Sequence, residues 1–262
     1  MTSLEANNLK RELLDAVAKF KELQDRDGKV SVDFGVRGGE LDSKSRAPRN
    51  LAEDGGFYKI SKDVGEAADK IFSIVEELGR VNPNPEATKH FGTDQGKDCK
   101  LHGRWCLLFT TAADATFSTK SKRGDARASN EVDAVAGKVM NIIEFSPRPD
   151  GSKPAVSKLQ VRLRAMALSP TRVGLQFKYV KASLQRLFGF ELPGRGLPLW
   201  FPVPGPTLTR LLFFFRKVKD VPKAFFDVIY LDDQLRIHRT GEGNLFVQVR
   251  PDWKEGMAIT MR

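Results

Sequence analysis

Two short stretches carry residue types that could perform chemistry. Cys99, His102 and Cys106 form a C-x2-H-x3-C pattern, and zinc accepts all three kinds of side chain. Asp232 and Asp233 are adjacent carboxylates, the groups that general acid–base catalysis often uses. Three close ligands at unmatched spacing are a weak metal signal even with His90 as a conceivable fourth ligand. Neighbouring residues of a strand, such as the two aspartates, point to opposite faces. We therefore predict neither a metal site nor a catalytic dyad here.

Recognised catalytic and nucleotide-binding motifs are missing from the sequence. It holds no G-x-S-x-G elbow, no Walker loop, no H-E-x-x-H and no complete G-x-G-x-x-G. It also lacks an uninterrupted apolar run of about 18 residues, the length that predicts a membrane-spanning helix. We therefore expect a protein that is not an enzyme and needs no cofactor. The alternative hypothesis of an enzyme that acts on a hydrophobic substrate has no nucleophile–base pair to support it.

The charge is distributed unevenly along the chain. The formal net charge is +10, but residues 1–98 carry −3 and residues 99–262 carry +13. A basic surface suits anionic lipid, an acidic protein or nucleic acid. Base stacking needs aromatic rings on the same face as the cations, whereas the alternation puts Phe177 and Tyr179 opposite Arg162 and Arg164. Nucleic acid is therefore disfavoured as a partner.

Residues 1–98 form the predicted N-terminal helical region. One helix has an apolar stripe of Leu9, Leu13, Val17 and Phe20, and a second runs from about residue 62 to 78. The polar, Gly-rich stretch at about 28–60 is predicted to be a flexible insertion. Because the first 24 residues read as a charged helix, no transit peptide is expected within this sequence. Two cysteines are too few for a disulfide framework.

From about residue 101 the apolar period changes from that of a helix to that of a strand. The segments "SKLQVRLRAMALSP" and "RVGLQFKYV" alternate apolar and basic residues, which is typical of an antiparallel sheet with one buried face. Residues 99–262 are enough for a barrel of about eight strands, the size that can hold one small ligand. The predicted cavity lining is Trp105, Leu163, Ala165, Leu175, Phe177 and Tyr179.

The segment at about 181–224 departs from this pattern. It has a net charge of +6 and many aromatic residues, and its six prolines oppose a spanning helix. Rings that enter the headgroup boundary beside cations that meet anionic lipid describe an interfacial contact. An alternative is a loop that covers the barrel mouth with its own phenylalanines. The predicted membrane-contact residues are Trp200, Phe201, Arg210, Phe213, Phe214, Phe215, Arg216 and Lys217.

Gly103-Arg104-Trp105 opens the first predicted barrel strand. A G-x-W there would let the Trp105 ring plug the closed end of a barrel, with an arginine from the last strands stacked on it. Arg236 and Arg239 are the candidates. Asp232 and Asp233 would then end a strand or pair with these two arginines.

The stretch "YLDDQLRIHRTGEGNLFVQV" closely resembles the C-terminal motif of the plastid lipid-associated proteins, or fibrillins. Upstream, "IVEELGRVNPNPEA" and "LHGRWCLLFTT" are similar to that family's helix, its N-P-x-P break and its first strand. The likeness covers about residues 62–250. The residues that match the two motifs are Gly103, Trp105, Tyr230, Leu231, Asp232, Leu235, Arg236, Ile237, Arg239, Gly243, Leu245 and Phe246.

The resemblance implies a mainly β fold, in which a lipocalin-like barrel follows N-terminal helices. It also implies a plastid location, on thylakoids or plastoglobules, and binding of carotenoids, quinones or tocopherols. Residues 230–250 would then be the barrel-closing hairpin. An alternative is a structural or adaptor protein whose filled barrel binds an acidic partner, such as an enzyme of isoprenoid metabolism. Thr240 and Gly241 depart from the family's turn.

Overall fold

The computed structural model describes residues 3–26, 62–112, 126–147, 151–187, 190–194, 196–202, 224–241 and 243–260. Three helices fall within these ranges: α1 (Ser3–Arg26), α2 (Lys62–Arg80) and α3 (Lys254–Thr260). The strands are β1 (Gly103–Thr110), β2 (Ala126–Asp133), β3 (Lys138–Phe145), β4 (Val156–Ala167), β5 (Arg172–Leu184), β6 (Arg186–Leu187), β7 (Phe190–Glu191), β8 (Leu197–Pro202), β9 (Phe225–Leu231), β10 (Leu235–Thr240) and β11 (Leu245–Val249).

Eight of these strands close into an antiparallel barrel. Strands β1 to β5 pair in sequence order, β5 pairs with β9, and β9, β10 and β11 lead back to β1. Strand β8 pairs with the second half of β5, beyond the point where β9 ends. The predicted fold, a mainly β lipocalin-like barrel of about eight strands after N-terminal helices, is confirmed.

Alternating side chains explain which face of each wall strand is buried. In β4, Leu163 and Ala165 are buried while Arg164 between them is exposed. Directly opposed residues of an antiparallel pair share a face, so Val139 and Phe177, which pair with Leu163, also lie on the inward side. The inner face can therefore be followed around the barrel from the strand register.

A β-bulge corrects the predicted orientation of Tyr179. The register of β4 and β5 shifts between Arg162, which pairs with Tyr179, and Leu163, which pairs with Phe177. Lys178 is the extra residue of β5. One added residue reverses the face of the sheet to which the later residues of the strand point. Tyr179 therefore lies on the outer face with Arg162, and the prediction that it points inward is wrong. Val180 takes the inward position instead.

The helices cover the outer face of four strands. Apolar residues of α1 and α2 form one buried cluster with Phe109, Tyr230, Ile237 and Val247 of the barrel, and Phe20 meets the Phe109 ring edge-on with centroids 5.3 Å apart. Strands β1, β9, β10 and β11 are thus buried on both faces, which explains why their sequences are nearly continuous apolar runs. Burial stabilises each large apolar side chain by roughly 1.5–3 kcal/mol.

The predicted helix stripe matches this packing. The four residues of that stripe, Leu9, Leu13, Val17 and Phe20, are all buried. The second helix was predicted to end at about residue 78 but continues through Gly79 to Arg80. A Cβ at Gly79 would lie 3.0 Å from Cγ2 of Ile229, so the missing side chain lets α2 approach β9 closely.

Two of the segments singled out in the sequence lie wholly or partly outside the described residues. The 28–60 stretch is outside them, and of 181–224 the structure describes 181–187, 190–194, 196–202 and 224. Among the described helices, none has the length and apolar character to cross a membrane.

Candidate functional site: the barrel interior and its aromatic edge

Trp105 closes one end of the barrel interior. Its side chain is 0% exposed, and its indole Nε1 donates a hydrogen bond of 3.0 Å to the carbonyl oxygen of Leu101. The guanidinium of Arg236 lies 5.1 Å from the Trp105 ring centroid and that of Arg250 lies 3.8 Å from it. The predicted stacking of an arginine on this ring is confirmed for Arg236, whereas Arg239 is exposed. Arg250, which lies just after the last strand, was not predicted.

Gly103 is required by the position of Arg250. Its φ of +105° is in the region that favours glycine, and a Cβ there would lie 2.6 Å from Nη1 of Arg250. That guanidinium donates hydrogen bonds of 2.8 Å to the carbonyl oxygens of Lys100 and His102. The glycine and the tryptophan of the G-x-W motif thus serve the same arginine, which ties the barrel floor to the segment before β1.

An amide network surrounds Arg236 inside the barrel. Its Nε donates to Oε1 of Gln248 at 2.8 Å, and its Nη2 donates to Oδ1 of Asn130 at 2.5 Å and to Gln248. The Gln248 amide also donates to Asn130, whose Nδ2 donates in turn to Asn141 at 2.6 Å. None of these amides was predicted. Only the alternation along the strand could have indicated them. Gln248 lies two residues after the inward Phe246 in "NLFVQVR", so its side chain also faces inward.

His238 lies two residues further along β10 on the same inward side. Its imidazole is parallel to the Phe246 ring, with centroids 5.1 Å apart, and 4.7 Å from the Phe226 ring. Burial, together with the nearby Arg236 charge, holds the pKa of His238 well below its usual value. The imidazole is therefore neutral at physiological pH.

The predicted cavity-lining residues separate by depth. Leu163 and Ala165 are buried near the floor, and Leu175 is half-buried against the same cluster. Phe177 shares the inward row with Leu163 but is 37% exposed. The inner face is therefore packed at the Trp105 end and becomes accessible towards the second half of β5.

Exposed aromatic residues flank that accessible end. Trp200 and Phe201 of β8 are 55% and 52% exposed, and the register turns Trp200 outward and Phe201 inward. Trp200 lies 4.9 Å from the Tyr179 ring, and Nζ of Lys181 lies 4.8 Å from the Trp200 centroid. We call Tyr179, Lys181, Trp200 and Phe201 the aromatic edge. The other predicted membrane-contact residues, Arg210, Phe213, Phe214, Phe215, Arg216 and Lys217, lie outside the described residues.

Asp232 organises the turn between β9 and β10. It accepts hydrogen bonds from Nζ of Lys10 at 2.9 Å, from the Tyr230 hydroxyl at 2.8 Å and from two backbone N–H groups of the turn. Burial disfavours its ionised form, but these bonds outweigh that effect and its pKa lies below the usual value. Burial and the Asp232 charge raise the pKa of Tyr230. Asp232 thus fastens α1 to the barrel.

Of the two roles predicted for these acids, ending the strand is confirmed, because β9 ends at Leu231, and pairing with Arg236 and Arg239 is wrong. Asp232 pairs with Lys10, and Asp233 pairs with Lys100 at 2.6 Å on the surface. Arg236 cannot reach either acid because its strand position turns it into the barrel. Two further matched residues of the motif belong to the closing hairpin: Gly243 has a φ of +92°, and Phe246 pairs with His238.

The Cys/His stretch has local structural partners. The Cys99 thiol contacts the carbonyl oxygen of Ala87 at 3.5 Å, and Nδ1 of His102 accepts a hydrogen bond from the backbone of Ala134. Burial raises the pKa of both cysteine thiols. Within the part of the chain that the structure describes, no three His, Cys, Asp or Glu residues are placed to hold a metal ion.

A closed antiparallel barrel with a tryptophan floor, an arginine stacked on it and covering helices defines a lipocalin-like protein. The chain belongs to the PAP_fibrillin family, whose model matches residues 53–249, more than half of its length. Comparison with curated proteins and with solved structures gave no match. The family and the barrel are compatible with a lipid-associated role of a structural, generally non-enzymatic kind.

Proposed function

We propose that this chain is a non-enzymatic barrel that binds hydrophobic lipids or isoprenoids and docks on plastid membranes or plastoglobules. Carotenoids, quinones and tocopherols are the ligand class. The observation that carries the proposal is the gradient along the inner face, from the buried floor at Trp105 to the exposed rings of Phe177 and Phe201. An apolar inner wall that stays accessible at one end offers an apolar molecule a place to bury its surface.

The magnitude of the hydrophobic effect favours such binding. Each square ångström of apolar surface that leaves water contributes about 25 cal/mol, so covering even part of the accessible wall would stabilise a bound ligand. Val161 and Val180 are inward, paired and half-buried, and they lie between the floor and Phe201. A ligand chain running from the aromatic edge towards Trp105 would contact them first.

The roles of the polar side chains support a function other than catalysis. Asp232 holds a turn and a helix, Cys99 packs under a carbonyl group, and His238 is neutral between two rings. Each of these groups is engaged in structure.

Ligand capture tests the proposed binding. Purified protein is incubated with a plastid lipid extract, re-isolated and solvent-extracted, and the extract is identified by mass spectrometry. We expect a stoichiometric pigment, quinone or tocopherol. The variant Val161→Trp fills the inner wall and should lose this cargo, whereas Gln160→Trp, whose side chain is on the outer face of the same strand, should retain it. An empty wild-type barrel would contradict the proposal.

The aromatic edge is the proposed membrane contact. Replacing Trp200 and Phe201 with Ser, or Phe213–Phe215 with Ser, should weaken flotation with anionic liposomes several-fold, because rings at the headgroup boundary and nearby cations act together. Leu4→Ser is the control, since Leu4 is an exposed apolar residue on α1. Unchanged flotation of both aromatic variants would remove the docking role.

A second candidate function is an adaptor with a filled barrel. The outer face of β4 and β5 presents Arg164 and Lys178 to solvent, which favours an acidic protein partner, such as an enzyme of isoprenoid metabolism. The same capture experiment separates the two functions. A well-folded barrel that returns without cargo favours the adaptor.

A further inference from the structure

Among the residues that the structure describes, Arg236 is a buried cation without a buried counter-charge. Its side chain is 1% exposed, and all of its hydrogen-bond acceptors are neutral amides of Gln248 and Asn130. Along the inward rows of the described strands, the register places no Asp or Glu. The barrel interior in this part of the chain is therefore electropositive.

Such a charge is costly, and two other cations of the fold each have a carboxylate partner. Buried Lys10 has the Asp232 carboxylate at 2.9 Å, and surface Arg172 binds Asp227 through two hydrogen bonds of 2.7 and 2.8 Å. Removing a charge from water costs several kcal/mol unless an opposite charge compensates it. Burial, and secondarily the charge of Arg250, lowers the pKa of Arg236 to about 9. The cation–π contacts of Arg236 with the rings of Trp105 and Phe226 offset only part of the cost of burying its charge.

One nitrogen of the Arg236 guanidinium and one nitrogen of the nearby His238 also lack hydrogen-bond partners. Nη1 of Arg236 and Nδ1 of His238 are buried without a hydrogen bond among the described residues. The two residues are separated by one position on β10, so their side chains lie on the same side at a spacing of about 7 Å. The Phe226 ring contacts both of them. Unsatisfied buried polar atoms of this kind point to a missing hydrogen-bond partner.

The inner wall next to the Arg236 network is only half-buried. Asn130 and Asn141, which extend the Arg236 network, are half-buried, as is Val161, which pairs with Asn141. From there the inward apolar residues continue through Val180 to the exposed Phe201. A polar group near Arg236 and an apolar chain along this wall could thus belong to one molecule.

We propose that the barrel interior binds an amphiphile with a single anionic head, a long-chain carboxylate or phosphate monoester, whose head accepts hydrogen bonds from Nη1 of Arg236 and from His238. Its tail lies along Val161 and Val180 towards Phe201. This inference rests on the proposed hydrophobic-ligand function and narrows it, because a neutral isoprenoid would leave Arg236 uncompensated. Hydrogen bonds between charged partners are worth about twice those between neutral ones.

The test compares matched ligands on the wild-type protein. Equilibrium dialysis with radiolabelled hexadecanoic acid, hexadecyl phosphate, hexadecanol and methyl hexadecanoate gives four dissociation constants. We expect at least one of the two anions to bind about tenfold or more tightly than the alcohol and the ester, and the tighter anion identifies the head group. Equal affinities for all four would overturn the anionic head but leave the proposed function intact. Failure of all four to bind would overturn the anionic head, whereas the proposed function would fall only if the capture experiment also returned an empty barrel.

A pair of variants assigns the effect to Arg236. Arg236→Gln should lower the affinity for the anion to that for hexadecanol without changing the affinity for hexadecanol. Arg164→Gln, an exposed outward cation on β4, should change neither. An anion preference that persists in a folded Arg236→Gln protein would contradict the assignment. The wild-type comparison requires no variant, so it tests the preference for an anionic head group even if Arg236→Gln fails to fold.

Discussion

Trp105→Ala should lower the free energy of unfolding by about 4 kcal/mol, within the usual range for truncating a buried tryptophan. The ring is fully buried at the barrel floor, and its removal leaves a cavity that the surrounding β-strands can fill only in part. It also deprives Arg236 and Arg250 of the π face that both guanidinium groups contact. Urea denaturation followed by far-UV circular dichroism measures the change.

Two further variants separate the causes of this loss. Trp105→Phe keeps an aromatic face and most of the volume but removes the hydrogen bond to Leu101, so we expect a loss of about 1–2 kcal/mol. Trp200→Ala removes an equally large ring that is 55% exposed and should cost less than about 1 kcal/mol. The floor variant should also retain less ligand in the capture experiment. Wild-type unfolding and full occupancy of Trp105→Ala would contradict the role of the ring as a plug.

The parts of the barrel that sequence predicts are those where one face meets water. In β4 and β5 the alternation of apolar and basic residues marks the buried side directly, as Leu163 and Arg164 illustrate. Strand β2, "ARASNEVD", was missed because most of its residues are polar, including the inward Asn130 that serves the Arg236 network. A polar residue that belongs to an interior hydrogen-bond network interrupts the very pattern by which strands are recognised.

A local irregularity and a long-range contact explain the remaining errors at the site. The extra residue at Lys178 reverses the face of Tyr179, and a bulge leaves no mark in an alternating sequence. The contact between Lys10 and Asp232 joins residues 222 positions apart, a separation at which a sequence pattern predicts no pairing. By contrast, the G-x-W motif correctly predicted a floor, because the glycine and the tryptophan are constrained by the same arginine.

Asp232→Ala should lower the free energy of unfolding by about 3 kcal/mol. The carboxylate is mostly buried, and its loss leaves Lys10 as a buried cation without its partner, a change that typically costs 3–5 kcal/mol. It also frees the Tyr230 hydroxyl and two backbone N–H groups of the turn. Asp233→Ala is the matched control, because that neighbouring carboxylate is exposed and pairs with a lysine at the surface. It should change stability by less than about 1 kcal/mol.

The pH dependence distinguishes an ionic role of Asp232 from simple packing. Because its pKa is lower in the folded protein than the unfolded value of about 3.9, its contribution is fully present above that value. The contribution is lost as pH falls through the folded pKa. The stability difference between wild type and Asp232→Ala should therefore be constant from about pH 5 to 7 and shrink below about pH 4. A difference that stays the same at pH 3 would show that the side chain acts through its volume, and the link between α1 and the barrel would then not depend on the ion pair.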